Sequence, residues 1–376
     1  MIEARTAVDL RLTKHYGQFV GKLLTITLSR DDDGRRADRI VRKVLKDTAL
    51  STIYRLFRQG DIRTSNSPIK PNDRLKEGDI VEIRLPEKIW EKGHSQTIIK
   101  SASLKKKHSQ GSYDEIPSIL WQNSHLIAFH KPRGMLVHDG NTSLDAYVHS
   151  FLHDLLEPSV SFSPGPLHRL DRNTSGIIVF SKTRIGADLF STAMRNRRIH
   201  KFYIAIVEGR IDEPIILKDS ILRDKKRRLS VIDKNEGREA ILRAFPLIQS
   251  KLFSLLLVDL ITGLTHQIRV QLASHGYPLA GDSKYGGSKT PEINSYFLHS
   301  CCLGFVQPLF EDMPLTIFDP LPNDFGLAIA AGWQRMIYDM PSSALIVFHD
   351  SLLPRYRGFN PLVTAWLMVA FFFSSN

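Results

Sequence analysis

The chain has 376 residues, room for about two to three domains of ordinary size. Hydrophobic residues make up 42 % and charged residues 24 %, which excludes a wholly disordered, collagenous or coiled-coil chain. The 51 Lys and Arg against 39 Asp and Glu leave a net charge of +12, which favours a polyanionic partner, either nucleic acid or a membrane surface. Cys301 and Cys302, adjacent in sequence, can build neither a disulfide framework nor a four-ligand zinc site. A reducing, cytoplasmic compartment is expected, without a structural metal. The N-terminus has no apolar core of a secretory signal. The longest apolar run, Ala365–Phe373, falls short of the ~20 residues of a membrane helix, so no membrane partner is expected.

Residues 1–33 form an N-terminal extension. No pattern stands out before Leu23–Ser29 (LLTITLS), which reads as a strand and is followed by the acidic turn DDDG. Residues 34–92 hold fifteen Lys and Arg against nine Asp and Glu, half of the net charge in about a sixth of the chain. RADRIVRKVLKD spaces Ile40, Val41, Val44 and Leu45 as a helix does, with Arg39, Arg42, Lys43 and Lys46 on its other faces. STIYRLFRQGDI reads as a second helix, with Ser51 as N-cap, Arg55 and Arg58 on one face, and Gly60 at its end. DIRTSN and DIVEIRL read as strands. Residues 93–115 are polar, Ser-rich and basic at Lys105–Lys107. They fit a linker that is either a plain solvated tether or one that also touches phosphate.

Residues 116–325 mix strand-like runs (IIVFS, FYIAIVEG, FSLLLVDLITG, HQIRVQL) with a helical one (GADLFSTAMRNRR). Successive strands without intervening helices point to an α+β domain with a mixed, mostly antiparallel sheet. The chain has no GxGxxG opening a helix after a strand, no phosphate-binding GxxxxGK[ST] loop, no HExxH and no GxSxG, which weakens nucleotide-dependent and hydrolytic readings.

Three polar clusters can carry chemistry. In PLHRLDRNTSGIIVFSK, Asp171 lies between Arg169 and Arg172 and precedes an apolar strand. Neighbouring cations would keep it ionised, as a carboxylate nucleophile needs, although an ordinary Asx-turn with solvated arginines fits the same residues. In TGLTHQIRVQLASHGYPLAGDSKYGG, period-two alternation sets Gln267, Arg269 and Gln271 opposite His266, Ile268, Val270 and Leu272. An Arg on such a face could pair with a catalytic carboxylate or simply meet solvent. In HKFYIAIVEG, Tyr203 offers a flat ring for a base, or is a half-buried strand residue.

These motifs, with KPRGMLVH (Lys131–His138) before them, occur in the order found in RluA-type pseudouridine synthases, and the resemblance covers about Ser124 to Phe325. Asn173 stands where that family often has Asp, and Leu264 where it often has Arg. Residues 34–92 resemble the S-four-type RNA-binding domain, a small αL module, and the combination is most similar to the family's large-subunit rRNA enzymes. The resemblance implies isomerisation of uridine in large-subunit ribosomal RNA, without cofactor or metal. Transfer RNA is the alternative substrate, and a non-catalytic rRNA-binding assembly factor the alternative role. It further implies that Asp171 acts on the ribose, that Arg269 pairs with it, that Tyr203 stacks on a flipped uracil and that Arg169 wedges into the vacated stack. Arg39, Lys43, Arg55 and Arg58 would meet phosphate.

Residues 326–376 form a last stretch. HDSLLPRYRG within it resembles folate-dependent formyltransferases, and His349 matches their catalytic His, while Val347 replaces their usual Asn. About 40 residues cannot bury a core alone, so a fragment or orphan tail is expected there.

Overall fold

The computed structural model describes residues 8–11, 21–65, 67–86, 117–140, 142–153, 155–156, 159–289, 295–322 and 325. The expected linker 93–115 and the stretch 326–376, with His349, lie outside the described residues. Two units emerge. One takes the described residues before 110 with 146–165 and 181–187; the other takes 111–145, 166–180 and the described residues from 188 onward.

The first unit carries β1 (Val8–Arg11), β2 (Gly21–Thr27), α1 (Ala37–Val44), α2 (Leu50–Gln59), β3 (Ile62–Thr64), β4 (Ser67–Pro68) and β5 (Ile80–Pro86). Its strands form an antiparallel sheet in the order β1-β2-β5-β3-β4. Residue 34, the expected start of this domain, divides the sheet, because β1 and β2 precede it. Alternation along β5 buries Val81, Ile83 and Leu85. These pack with Leu24 and Ile26 of β2, Ile40 and Val41 of α1, and Ile53, Leu56 and Phe57 of α2. The second helix starts two residues earlier than its sequence suggests. Ala49 is the N-cap and Ser51 lies inside the first turn, because tertiary packing outweighs a single capping hydroxyl. Gly60 ends the helix in the left-handed region, φ 72°, as expected. Within the acidic turn Asp33 is exposed, but Asp32 is fully buried and accepts from the Ser159 hydroxyl and the Ser161 N–H at 2.9 and 2.7 Å. Burial opposes its charge, but these bonds and those from Ser29 hold its pKa below the ordinary value.

The chain continues through β6 (Ile119–Gln122), β7 (Leu126–Lys131), α3 (Leu144–His153), β8 (Gly165–Pro166), β9 (Ser175–Ser181), α4 (Arg184–Arg195), β10 (Ile199–Glu208), β11 (Ile215–Asp224), β12 (Leu229–Ile232), β13 (Arg238–Gln249), β14 (Phe253–Leu260), α5 (Gln267–Ser274), β15 (Leu298–Phe305) and β16 (Thr316–Phe318). An eleven-stranded sheet runs β12-β11-β13-β14-β10-β15-β9-β7-β6, with β8 and β16 as short additions. β15 and β9 pair in parallel. From β12 through to β15, and between β6 and β7, neighbouring strands run antiparallel, in agreement with the α+β expectation. Residues 175–180 of β9 are buried without alternation, as a strand covered on both faces requires. Gly176 marks where β9 and β15 come closest. Its φ is 118°, and a Cβ there would meet the Ser300 carbonyl oxygen at 2.4 Å.

One expected element changes type. HQIRVQL is the helix α5, not a strand. Gln267, Ile268, Arg269, Val270, Gln271 and Leu272 are all buried, so apolar alternation along it does not mark a solvent face. The Gln267 side chain accepts from the Thr262 hydroxyl and the Leu264 N–H, and donates to the Ile241 carbonyl. Gln271 donates to Asp219 and to the Ala240 carbonyl. A satisfied polar interior therefore replaces water on that side of the helix.

Candidate active site

Asp171 lies in the turn feeding β9, where its carbonyl accepts the Thr174 N–H at 3.1 Å. The turn is tied to the loop after β7 from two sides. Gly134 N–H donates to the Arg172 carbonyl, and Arg172 Nε returns a bond to the Gly134 carbonyl. Beneath them sits Lys131, with no exposed surface. Its ammonium donates to the carbonyls of Pro132, Met135 and Arg172 at 2.9, 2.8 and 3.0 Å. Burial pulls its pKa down to about 7. His168 also serves the turn: Nε2 accepts the Val179 N–H at 3.1 Å, and burial lowers its pKa to about 3, so it stays neutral.

The cation that meets Asp171 is Arg269 of α5, with Nη1 3.1 Å from Oδ2. The sequence neighbours do other things: Arg172 binds Gly134, and Arg169 is exposed. Arg269 is itself fixed. Nε and Nη2 reach the two oxygens of buried Asp282 at 2.7 and 2.9 Å, and the guanidinium lies 4.3 Å from the Tyr296 ring centroid and 5.0 Å from that of Tyr285. Such a bidentate, stacked arginine has one free edge, and that edge faces Asp171. His266 caps α5 at φ 56°, a left-handed conformation that costs a non-glycine residue on the order of 1–3 kcal/mol.

A cavity of about 350 Å³ opens at this point. Asp171, Arg169, Arg269, His266, Lys284 and Tyr296 are among its walls. Its volume lies at the lower end of small-molecule sites, which run from roughly 300 to 1,000 Å³. One extruded nucleotide fits that class; a paired helix does not. Tyr203 is not among the lining residues. It is 6 % exposed on β10, beside an irregularity in the β10–β15 register, and burial raises the pKa of its hydroxyl, with the Asp171 charge adding to the rise. Of the expected site residues, Asp171, Arg269 and Arg169 therefore share the cavity wall, and Tyr203 lies buried near them.

A family model described as RNA pseudouridylate synthase matches residues 125–274. The Ribosomal large subunit pseudouridine synthase C of Buchnera aphidicola is 32 % identical over 316 residues, covering 80 % of this chain and 94 % of that protein. The chain belongs to the RluA-type RNA pseudouridine synthases. The Uncharacterized RNA pseudouridine synthase YlyB of Bacillus subtilis is 29 % identical over 306 residues, covering 80 % of this chain and 95 % of that protein. The synthase C of Escherichia coli is 30 % identical over 299 residues, with 75 % and 88 % covered.

This synthase is an isomerase acting on RNA. Among the described residues no group of three or more His, Cys, Asp or Glu is placed to hold a metal ion, and no helix is long and apolar enough to cross a membrane. Sequence reasoning missed Lys131, His266, Asp282, Tyr285 and Tyr296 as parts of the site. The last four lie in or just after TGLTHQIRVQLASHGYPLAGDSKYGG, so the motif marked the region without saying which side chains converge. It also passed over Lys225, Lys226, Arg227 and Arg228. These form the exposed tip between β11 and β12, an uninterrupted basic run plain in the sequence. In the first unit Arg39, Lys43, Arg55 and Arg58 are all exposed, and Lys43 donates to the Ser161 carbonyl at 2.9 Å.

Proposed function

We propose that the chain isomerises specific uridines of large-subunit ribosomal RNA, with Asp171 acting on the ribose of a nucleotide flipped into the cavity. The reaction breaks the N1–C1′ bond, turns the uracil, joins C5 to C1′, removes the C5 proton and leaves a proton on N1. The observation that carries this reading is the ion pair of Asp171 and Arg269 on the wall of a nucleotide-sized cavity. Arg269 holds the carboxylate aimed. Tyr203, buried near Asp171 behind the lining residues, stacks on the uracil once the entering base reaches past that lining, with stacking worth about 1–3 kcal/mol against a flipping cost of a few kcal/mol. The exposed Arg169 at the rim fills the vacated stack. The β-sheet and two helices around residues 34–92 act as an S-four-type RNA grip through Arg39, Lys43, Arg55 and Arg58. The names of the synthase C relatives support ribosomal RNA as substrate.

Pseudouridine mapping of total RNA, with and without the gene, tests this reading. Loss of particular large-subunit sites is expected. Loss confined to transfer RNA would replace the substrate. No loss at all would overturn the assignment to RNA modification in the cell. Asp171→Ala should abolish modification and leave RNA affinity within about twofold.

A further inference from the structure

His266 makes one contact from each ring nitrogen. Nδ1 lies 2.8 Å from the Tyr285 hydroxyl, and Nε2 lies 3.7 Å from Oδ2 of Asp171. The Tyr285 oxygen already accepts the Ser230 N–H at 2.9 Å. If it also accepted a proton from Nδ1, its own O–H would go unused. Donation from Tyr285 to Nδ1 satisfies all three groups, so Nδ1 is the acceptor and Nε2 carries the ring proton. The Asp171 charge favours the same tautomer.

The groups facing this imidazole are Asp171 from the turn before β9, Arg269 from α5, Arg223 from β11, and Lys284 and Tyr285 from the segment after α5. Burial, with the three cations, outweighs the one carboxylate and lowers the His266 pKa to about 4. The ring is therefore neutral at pH 7. Arg269 Nη1 meets the same oxygen of Asp171 that His266 faces, Oδ2. Oδ1 has no hydrogen-bond partner among the described residues.

We propose that His266 is a positioning residue: as a neutral Nε2–H donor it fixes Oδ2 of Asp171 jointly with Arg269 and turns Oδ1 toward the ribose. At 3.7 Å the contact lies outside hydrogen-bond range, and it closes when the nucleotide fills the cavity, as catalytic contacts do on substrate binding. A neutral donor suits the task. It orients the carboxylate without cancelling its charge, which a second full cation would do. The left-handed backbone at residue 266 is the strain accepted to place the ring there. The inference rests on the reading of Asp171 as the carboxylate that acts on the ribose.

The test uses the full chain and a transcript of large-subunit ribosomal RNA tritiated at uridine C5, with tritium release followed in single turnover. His266→Ala is expected to slow the reaction about 100-fold, the scale of a small misplacement of a reacting group, with transcript affinity unchanged. His266→Gln, which restores an N–H, should recover part of the rate. A structural role alone would lower transcript affinity or stability with the rate and would give no such rescue by an N–H donor. Nitrogen-15 spectra of the wild-type imidazole should show Nε2 protonated and Nδ1 bare at pH 7. A protonated Nδ1 overturns the proposal whatever the rates are, and so does a His266→Ala rate equal to wild type. Asp171→Asn separates the two readings. If it is inactive while His266→Ala is normal, only the role of His266 falls. If it is active, the role of Asp171 falls and this inference with it.

Discussion

Single side chains decide whether the cavity is preorganised, and two of them do so from below its surface. Asp282 leaves Arg269 one free edge by occupying the other two donors. Asp282→Ala should therefore leave a buried guanidinium with Asp171 as its remaining carboxylate and with Nε and Nη2 unpaired, and destabilise the fold by up to about 3 kcal/mol, read as a lower denaturant midpoint. Lys131 works differently. Its ammonium gathers three carbonyls from two loops, and a hydrocarbon of equal length would leave all three without a donor. Lys131→Met should lower stability and slow catalysis together, since the Asp171 turn loses its tie to the loop after β7. Its titration gives a second signature. Between about pH 7 and 10.5 the unfolded chain holds a proton on this lysine that the folded chain has released. Wild-type stability should therefore rise with pH across that window, and Lys131→Met should lack that part of the slope in denaturant titrations at successive pH values.

At the scale of elements, strand contacts and hairpins set what the site can reach. Gly176 lets β9 meet β15 backbone to backbone, with the Asp171 turn five residues earlier. Gly176→Ala combines an unfavourable φ with a 2.4 Å clash against backbone that cannot turn away. A midpoint lowered well beyond the roughly 1 kcal/mol of an ordinary glycine replacement is expected, along with lost activity. The β11–β12 hairpin ends in Lys225–Arg228, and its base is moored beside the cavity. Ser230 N–H donates to Tyr285, the Ser230 hydroxyl to the Thr265 carbonyl, and cavity-lining Lys284 to the Arg228 carbonyl. A basic tip fixed there should hold RNA phosphate near the extruded base. Replacing the four residues by Ala should weaken binding of a large-subunit rRNA transcript. The dependence of log affinity on log salt should flatten by up to about 0.7–0.9 for each phosphate no longer neutralised. An unchanged slope would remove the hairpin from the interface.

On the scale of the molecule, charge is spread over both units rather than gathered in one. Net charge by sequence segment placed half of the excess in residues 34–92. The fold adds the hairpin of the second unit to those positions. Removing residues 34–92 would take β3, β4 and β5 out of a sheet that begins with β1, together with both helices of its core, so the loss of binding would report unfolding as well as charge. Substituting exposed Arg39, Arg55 and Arg58 by Ala is the cleaner experiment, since none of them enters the hydrophobic core of that unit. Weaker transcript binding and a flatter salt slope are expected, with stability kept within about 0.5 kcal/mol of wild type.

The amino-acid order by itself determined the family, the α+β class, six strands (β2, β3, β5, β9, β10 and β14), and the placing of Asp171, Arg269 and Arg169 in motifs. Local spacing and ordered motifs are properties of contiguous residues, so they are legible before folding. The tertiary structure decided the rest. HQIRVQL alternates as a strand yet is a helix, because both of its faces meet protein and its polar side chains find buried partners. Asp171 takes its cation from a residue 98 positions away rather than from its neighbours. Lys131, in an ordinary basic position of the sequence, is buried under three carbonyls. The tautomer of His266 is set by a tyrosine and a backbone N–H from two other elements. Each of these depends on which distant groups share one dry volume, where an unpaired donor or charge is costly. No window of neighbouring residues contains that information.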